Sequence, residues 1–311
     1  MAMKIKTATL ALIVPFFAAA SVSVDALGER PSVALDSGLA TAKIELDGAK
    51  VVSLKVGGEE VLWMSQVPGV PGIQWSHGGI PVCWPWFGRS GAPQPGFIHG
   101  FARNFRFEVV DTSSCRGRSQ AMLRLKSSDA TRRIWPHDFE LTFEATLTDT
   151  LRLSLRTVNT GSDTFSMTAG FHPYFRLGDL TKTKVTGADG LLYCDSRKTQ
   201  ELGGPWRGDI VLGEPLDHVF AERGATAAHS IIDPVLGRRI YSTSSGVTRL
   251  VVWTACADDS VGDGPGQLSA GDWRHLACVE PALLWDQVIT LDPGCRHQFG
   301  MEISITPTAA R

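Results

Sequence analysis

Several features that would announce a function are missing from this chain of 311 residues. Its six cysteines (Cys83, Cys115, Cys194, Cys256, Cys278 and Cys295) are scattered, and none forms a Cys-x-x-Cys pair, which argues against a structural zinc site. No two histidines stand at ligand spacing with a carboxylate, which disfavours a metal-dependent hydrolase. There is no basic run either. The 30 Lys and Arg against 32 Asp and Glu give a formal net charge of −2, whereas a nucleic-acid surface needs a concentrated positive stripe. After residue 20 no apolar run is long enough to cross a bilayer. Amphipathic helices longer than two turns, internal repeats and linker-like stretches are also lacking, so nothing divides the chain into modules.

What is present instead is alternation. Phe139, Leu141, Phe143, Ala145 and Leu147 alternate with polar partners. After the turn-like Thr148-Asp149-Thr150, the residues Leu151, Leu153 and Leu155 do the same, and Phe299, Met301, Ile303 and Ile305 repeat the pattern near the end. A period of two places one face of a strand on a core. Turn clusters recur, among them Val56-Gly57-Gly58-Glu59, Asn159-Thr160-Gly161-Ser162-Asp163, Gly187-Ala188-Asp189-Gly190 and Asp292-Pro293-Gly294. Many strands with frequent turns predict an all-β, single-domain protein over residues 32–306, a large antiparallel β-sandwich. Its longest polar connection, residues 258–272, is of the length that is often functional.

The N-terminus has a different composition. Lys4 and Lys6 precede an apolar run over residues 8–20, followed by Ser21-Val22-Ser23-Val24-Asp25-Ala26. This is the pattern of a signal peptide over residues 1–26 with cleavage after Ala26. An exported protein is therefore expected, periplasmic or secreted, with no membrane attachment once the leader is removed. Disulfides are permitted in such a compartment, although Cys83 and Cys278 lie in apolar strand-like segments and read as core thiols.

Residues 77–104 concentrate the unusual side chains. His77 is followed by Gly78-Gly79-Ile80-Pro81-Val82-Cys83-Trp84-Pro85-Trp86-Phe87-Gly88 and, after a short loop, by His99-Gly100-Phe101-Ala102-Arg103-Asn104. Glycines and prolines fix the backbone, the aromatics offer flat walls, and two histidines and an arginine supply polar groups, which is the make-up of a small-molecule pocket. A buried Trp-rich strand accounts for the same residues equally well. Three further segments carry chemistry. His172 lies in Gly170-Phe171-His172-Pro173-Tyr174-Phe175, where an aromatic surround favours neutral imidazole; Glu280 ends the apolar Leu276-Ala277-Cys278-Val279; and Asp217 opens Asp217-His218-Val219-Phe220. Taken singly, these read as a core histidine, a strand-end ion pair and a surface charge.

Together, in this order and spacing, the segments resemble the aldose 1-epimerase (galactose mutarotase-like) superfamily. The resemblance is strongest to its glucose-6-phosphate 1-epimerase branch and runs from about residue 40 to 305. It implies a galactose mutarotase-like supersandwich with a sugar site on the concave face of one sheet, and a monomeric enzyme without metal or cofactor. By the same resemblance His172 is the acid and Glu280 the base, Asp217 and Arg103 contact the substrate, and His99 lines the pocket. Trp84, Trp86 or Trp273 would stack on the sugar. Exchange of anomers requires a base at the C1 hydroxyl and an acid at the ring oxygen, and the two groups are expected on opposite sides of the sugar.

The chain departs from that branch at three positions, one of them Ile98, beside His99, where some relatives carry glutamine. His77 stands where the branch usually carries a phosphate-binding arginine, and His218 follows Asp217 where arginine is frequent. Histidine is only partly charged at neutral pH and lacks the bidentate fork of arginine. The partner is thus a small-molecule sugar or sugar phosphate, with the preference for phosphate weakened unless Arg89, Lys182 or Arg274 compensates. Two other functions compete. A non-catalytic carbohydrate-binding sandwich would not need both His172 and Glu280. A glycoside hydrolase would want two opposed carboxylates, for which Glu280 and Asp217 are the candidates.

Overall fold

The computed structural model describes residues 19–26, 30–66, 77–89, 98–255, 268–269 and 271–308. Residues 1–18 of the expected leader and residues 258–267 and 270 of the long polar connection lie outside them.

The alternating segments become the middle of a nine-stranded antiparallel sheet. Leu151–Asn159 pairs on one side with Phe139–Leu147 and on the other with Arg296–Pro307. The sheet continues outward through Arg118–Lys126 to Glu108–Cys115 at one edge. At the other it runs through Arg238–Ser245, Thr226–Asp233 and Lys184–Thr186 to Ile210–Val211. Phe143, Leu155, Phe299 and Met301 point from one face into the core, as the period of two predicts.

A seven-stranded sheet covers that face. Its order is Tyr193–Asp195, Asp217–Ala221, Arg249–Trp253, Leu276–Leu283, Ala169–Phe171 and Val82–Cys83, and Tyr174–Arg176 also pairs with Leu276–Leu283. Phe171 bridges the layers, with ring centroids 5.0 Å from Phe299 and 6.3 Å from Phe143. Along Leu276–Leu283 every residue is buried, so both faces of the strand are used. Ala277 and Val279 join the intersheet core, while Cys278 and Glu280 face the opposite way. That alternation carries a carboxylate to the side of the sheet away from the intersheet core. Cys83 and Cys278 are buried and take part in no disulfide, as their apolar surroundings predict.

A five-stranded meander, Ser21–Asp25, Ser32–Asp36, Ala40–Glu45, Lys50–Val56 and Glu59–Glu60, closes one end of the sandwich. Ser21–Asp25 is its mostly exposed edge strand, pairing residue for residue with Ser32–Asp36. Cleavage after Ala26 would make Ser32–Asp36 the edge. Among the described residues helix is confined to one turn, Asp129–Arg132, with a Ser128 capping box, and three 3-10 segments.

Candidate functional site

The 77–104 segment owes much of its sequence to backbone packing. At Gly79, an added methyl would land on the Val51 carbonyl; at Gly100, it would land on the Trp84 carbonyl. Both glycines also have positive φ, 71° and 75°, which side-chain-bearing residues rarely adopt. Backbone hydrogen bonds from Phe101 and Ala102 to the Trp84 carbonyl lock this approach. The path of the chain then fixes His99, itself at φ 61°. Its N–H donates to the Gly88 carbonyl at 2.8 Å, and the Gly88 N–H donates to His99 Nδ1 at 3.1 Å. With Nδ1 accepting, a neutral His99 ring carries its proton on Nε2.

His172 arrives from the other direction. Its backbone N–H donates to Pro81 O at 3.1 Å and that of Tyr174 to Gly79 O at 2.8 Å, tying the aromatic segment to the glycine motif. The His172 ring stacks on Tyr174 at 4.7 Å with 6° between planes, and meets His99 edge-on at 5.0 Å. From the centre of the sheet Glu280 brings Oε2 to 3.5 Å from His172 Nε2, with both side chains nearly inaccessible to solvent. The acid and base candidates therefore stand side by side, not on opposite sides of a bound sugar. Two groups so placed address two neighbouring atoms of a substrate.

They line a cavity of about 410 Å³ on the side of the sheet away from the intersheet core. Asp217 lines it from Asp217–Ala221, together with Phe87, Tyr174, Val219, Val251 and Trp253. Ser196 and Gln200 line it from the segment after Tyr193–Asp195. Arg197 and Lys198 anchor that segment on Asp195, whose carboxyl they hold well below the usual carboxylate range, the Arg197 hydrogen bonds contributing most. Trp285 completes the lining and is a tryptophan at φ 59°. The turn that carries it is fixed by Gln287 N–H to Leu284 O and by buried Arg249, which bonds Asp286 at 3.0 Å. A bulky residue held in the left-handed region marks a position that the surroundings over-determine.

Four of the seven residues singled out from the sequence thus meet in one cavity: His99, His172, Asp217 and Glu280. The other three do not line it. Trp84 is fully enclosed, with Nε1 against Met167 Sδ at 3.1 Å and its ring among Phe101, Trp135 and Phe139. It is a core residue: Val82–Cys83, the last strand of the sheet, pairs with Ala169–Phe171, and the chain leaving it carries Trp84 into the aromatic cluster between the layers. Trp86 is likewise core. His77 is buried edge-on behind Tyr174 at 4.9 Å, so Tyr174 separates it from the cavity. Arg103 is buried with its backbone under Gly48, and its charge bears on Lys50. Burial, above all, lowers the Lys50 ammonium to about 7; Glu45 opposes that, and Arg30 and Arg103 add to it. His218 is half-buried off the cavity, and burial lowers its pKa. Of the proposed compensating cations only Arg89 lines the cavity; Lys182 lies near Asp179 and Arg274 over the Trp273 ring.

Trp253, Trp285, Ser196 and Gln200 were not foreseen. Trp253 had a signal, being the last residue of a continuous apolar run over residues 250–253, whereas Trp285 depends on the Arg249–Asp286 contact across 37 positions.

Comparison with known proteins gives this geometry a lineage. Residues 31–304 match the family model described as aldose 1-epimerase. A protein of Cenchrus ciliaris described as "Putative glucose-6-phosphate 1-epimerase" is 30% identical over 279 residues, covering 86% of this chain and 82% of that protein. One of the same description from Salmonella typhimurium is 32% identical over 253 residues, covering 80% and 81%. A crystal structure of a "putative mutarotase" from Salmonella typhimurium superposes with a TM-score of 0.80 at 27% identity, covering 92% of this chain and 94% of that one. The chain belongs to the aldose 1-epimerase family.

Proposed function

We propose that this protein is a hexose 1-epimerase that interconverts α and β anomers by acid–base ring opening, with free hexoses preferred over their 6-phosphates. The observation that carries the reaction is the 3.5 Å approach of His172 Nε2 and Glu280 Oε2, both lining the cavity. In a pyranose the ring oxygen and the C1 hydroxyl are bonded to the same carbon. A side-by-side carboxylate and imidazolium can therefore face both at once.

Glu280 takes the proton from the C1 hydroxyl while His172 donates one to the ring oxygen. The C1–O5 bond breaks, and its electron pair leaves with the oxygen. The open-chain aldehyde turns about C1–C2. His172, now neutral, takes the C5 hydroxyl proton as that oxygen attacks the other face of the carbonyl, and Glu280 returns its proton to O1. The two transfers of each step, made together, leave the pair with the same net charge, so the buried pair need not accommodate a new uncompensated charge. His99 presents a protonated Nε2 beside His172, and Asp217 lines the cavity as an acceptor for sugar hydroxyls. Trp253, Trp285 and Phe87 offer apolar surface to the C–H faces of the ring.

The substrate preference rests on charge. The names of the two relatives above point to a phosphorylated hexose. In this chain, however, Arg89 is the only permanently cationic side chain among the described residues lining the cavity. His77 stands behind Tyr174 and would be a weak phosphate ligand in any case. Export, read from the N-terminal sequence, agrees with a free-sugar substrate.

The test is anomer exchange followed by NMR on glucose, galactose and glucose 6-phosphate. Exchange is expected with all three, with the higher kcat/KM for a free sugar. A strong preference for glucose 6-phosphate overturns the substrate assignment. Binding of sugar without accelerated exchange overturns the reaction and leaves a carbohydrate-binding protein.

A further inference from the structure

Leu276–Leu283 places Cys278 two residues before Glu280, and side chains at i and i+2 share a strand face. Ligand atoms of Cys278, Glu280 and His172 all lie within 4.8 Å of one another, and all three residues are buried. Tyr174, two residues after His172 on the aromatic segment, is the cross-strand neighbour of Cys278, so paired strands hold the group together. The epimerase reaction described above gives the thiol no part.

We propose that His172, Cys278 and Glu280 form an inhibitory site for a thiophilic divalent cation, with Zn²⁺ as the reference ion. Donor choice fixes the class: imidazole and thiolate select zinc, cobalt and copper over magnesium and calcium. Charge agrees, since a thiolate and a carboxylate together neutralise a divalent ion, which suits a buried setting. Spacing agrees as well. With metal–ligand bonds of about 2.0–2.3 Å, donors around one tetrahedral zinc stand roughly 3–4 Å apart. The His172–Glu280 separation of 3.5 Å already falls in that range, and the Cys278 thiol stands within 4.8 Å of both. On binding, the thiol proton leaves to solvent, and water or a sugar oxygen from the cavity takes the fourth position. The ion occupies the two groups that transfer protons, so it blocks turnover without being consumed.

Binding is independent of the epimerase reading; only the kinetic readout rests on it. The experiment uses the full chain carrying C115S, C256S and C295S, so that neither the two exposed thiols nor Cys256 contributes. Co²⁺ is titrated as a spectroscopic probe of the metal site, and Zn²⁺ is titrated against anomer exchange. The expected results are a thiolate-to-cobalt charge-transfer band, and loss of exchange with Zn²⁺ that a chelator reverses. Adding C278A should abolish the band and weaken Zn²⁺ inhibition by at least about tenfold, the loss usual for removing even an outer-shell partner of a metal. Basal exchange should persist.

Equal Zn²⁺ sensitivity with and without Cys278 would overturn the proposal, as would a cobalt spectrum without thiolate character. The spectrum is read on the chain that retains Cys278, so it decides the question even where C278A fails to fold. Absence of exchange before any metal is added would count against the epimerase reading alone.

Discussion

Two sets of buried polar residues lie near the glycine-rich segment, and they have different fates. His99, His172 and Glu280 open onto the cavity, whereas Lys50, His77 and Arg103 are buried off it. Both sets look alike in sequence: histidines and charged groups beside glycines and aromatics. The difference arises in the strands. Glu280 and His172 sit on the outer face of Leu276–Leu283 and beside its partner strands, and the turn at His99 comes to the same side, where side chains line the cavity. The second is packed where the meander and the Ala102–Asn104 turn close against the motif. The long motif is thus largely scaffolding, and much of the cavity wall comes from segments that are unremarkable in sequence.

The sharpest way to break this comparison is to attack the scaffolding. Gly100→Ala places a methyl on the Trp84 carbonyl at a φ of 75°, and backbone cannot move aside as a flexible side chain would. A loss on the order of 3 kcal/mol is expected in urea unfolding, with exchange activity lost in proportion to the unfolded fraction. A change within about 0.5 kcal/mol, typical of surface substitutions, would mean the motif is not structural. Glu280→Gln makes the converse demand. It keeps the shape and should leave folding near wild type, yet kcat for anomer exchange should drop by about 10²–10⁴-fold. Retention of the wild-type rate would remove Glu280 from the chemistry.

How much of this was legible beforehand follows the same division. Alternation in residues 139–155 and 299–303 disclosed the large sheet because periodicity is local. His172 and Glu280 were legible only through the family resemblance, since singly a histidine among aromatics and a carboxylate after an apolar run read as a core residue and an ion pair. Trp84 was not, since a tryptophan beside proline looks the same in a core as in a pocket wall. Only the pairing of Val82–Cys83 with Ala169–Phe171 decides which way it faces. The side-by-side placement of His172 and Glu280 is likewise a product of register between strands about a hundred residues apart. Ser196 and Gln200 reach the cavity because Arg197 and Lys198 pin their segment to Asp195, a local device whose direction relative to the sheet is not local.

Trp285 sharpens the comparison at the cavity mouth. If its left-handed backbone is sustained to present the ring to a sugar, Trp285→Ala should raise KM by about three- to tenfold while kcat stays close to wild type. An unchanged KM would instead make the residue a packing element of the Leu284–Gln287 turn.

The smallest effect tests the closed set. Lys50 titrates at about 7 in the folded protein against an ordinary 10.5 in the unfolded chain, chiefly because it is buried. Between those values the unfolded state binds a proton that the folded state does not. Stability therefore rises with pH through that window, by at most about 1.4 kcal/mol per pH unit from this one group. Below pH 7 both states are protonated, and the full cost of enclosing the ammonium is present. Lys50→Met removes the titration while filling similar space. Urea unfolding from pH 6 to 10 should give a flatter curve for the variant, with its advantage over wild type largest at pH 6 and shrinking as pH rises. Parallel curves would show that Lys50 stays charged and hydrated, and that the second set is open to water after all.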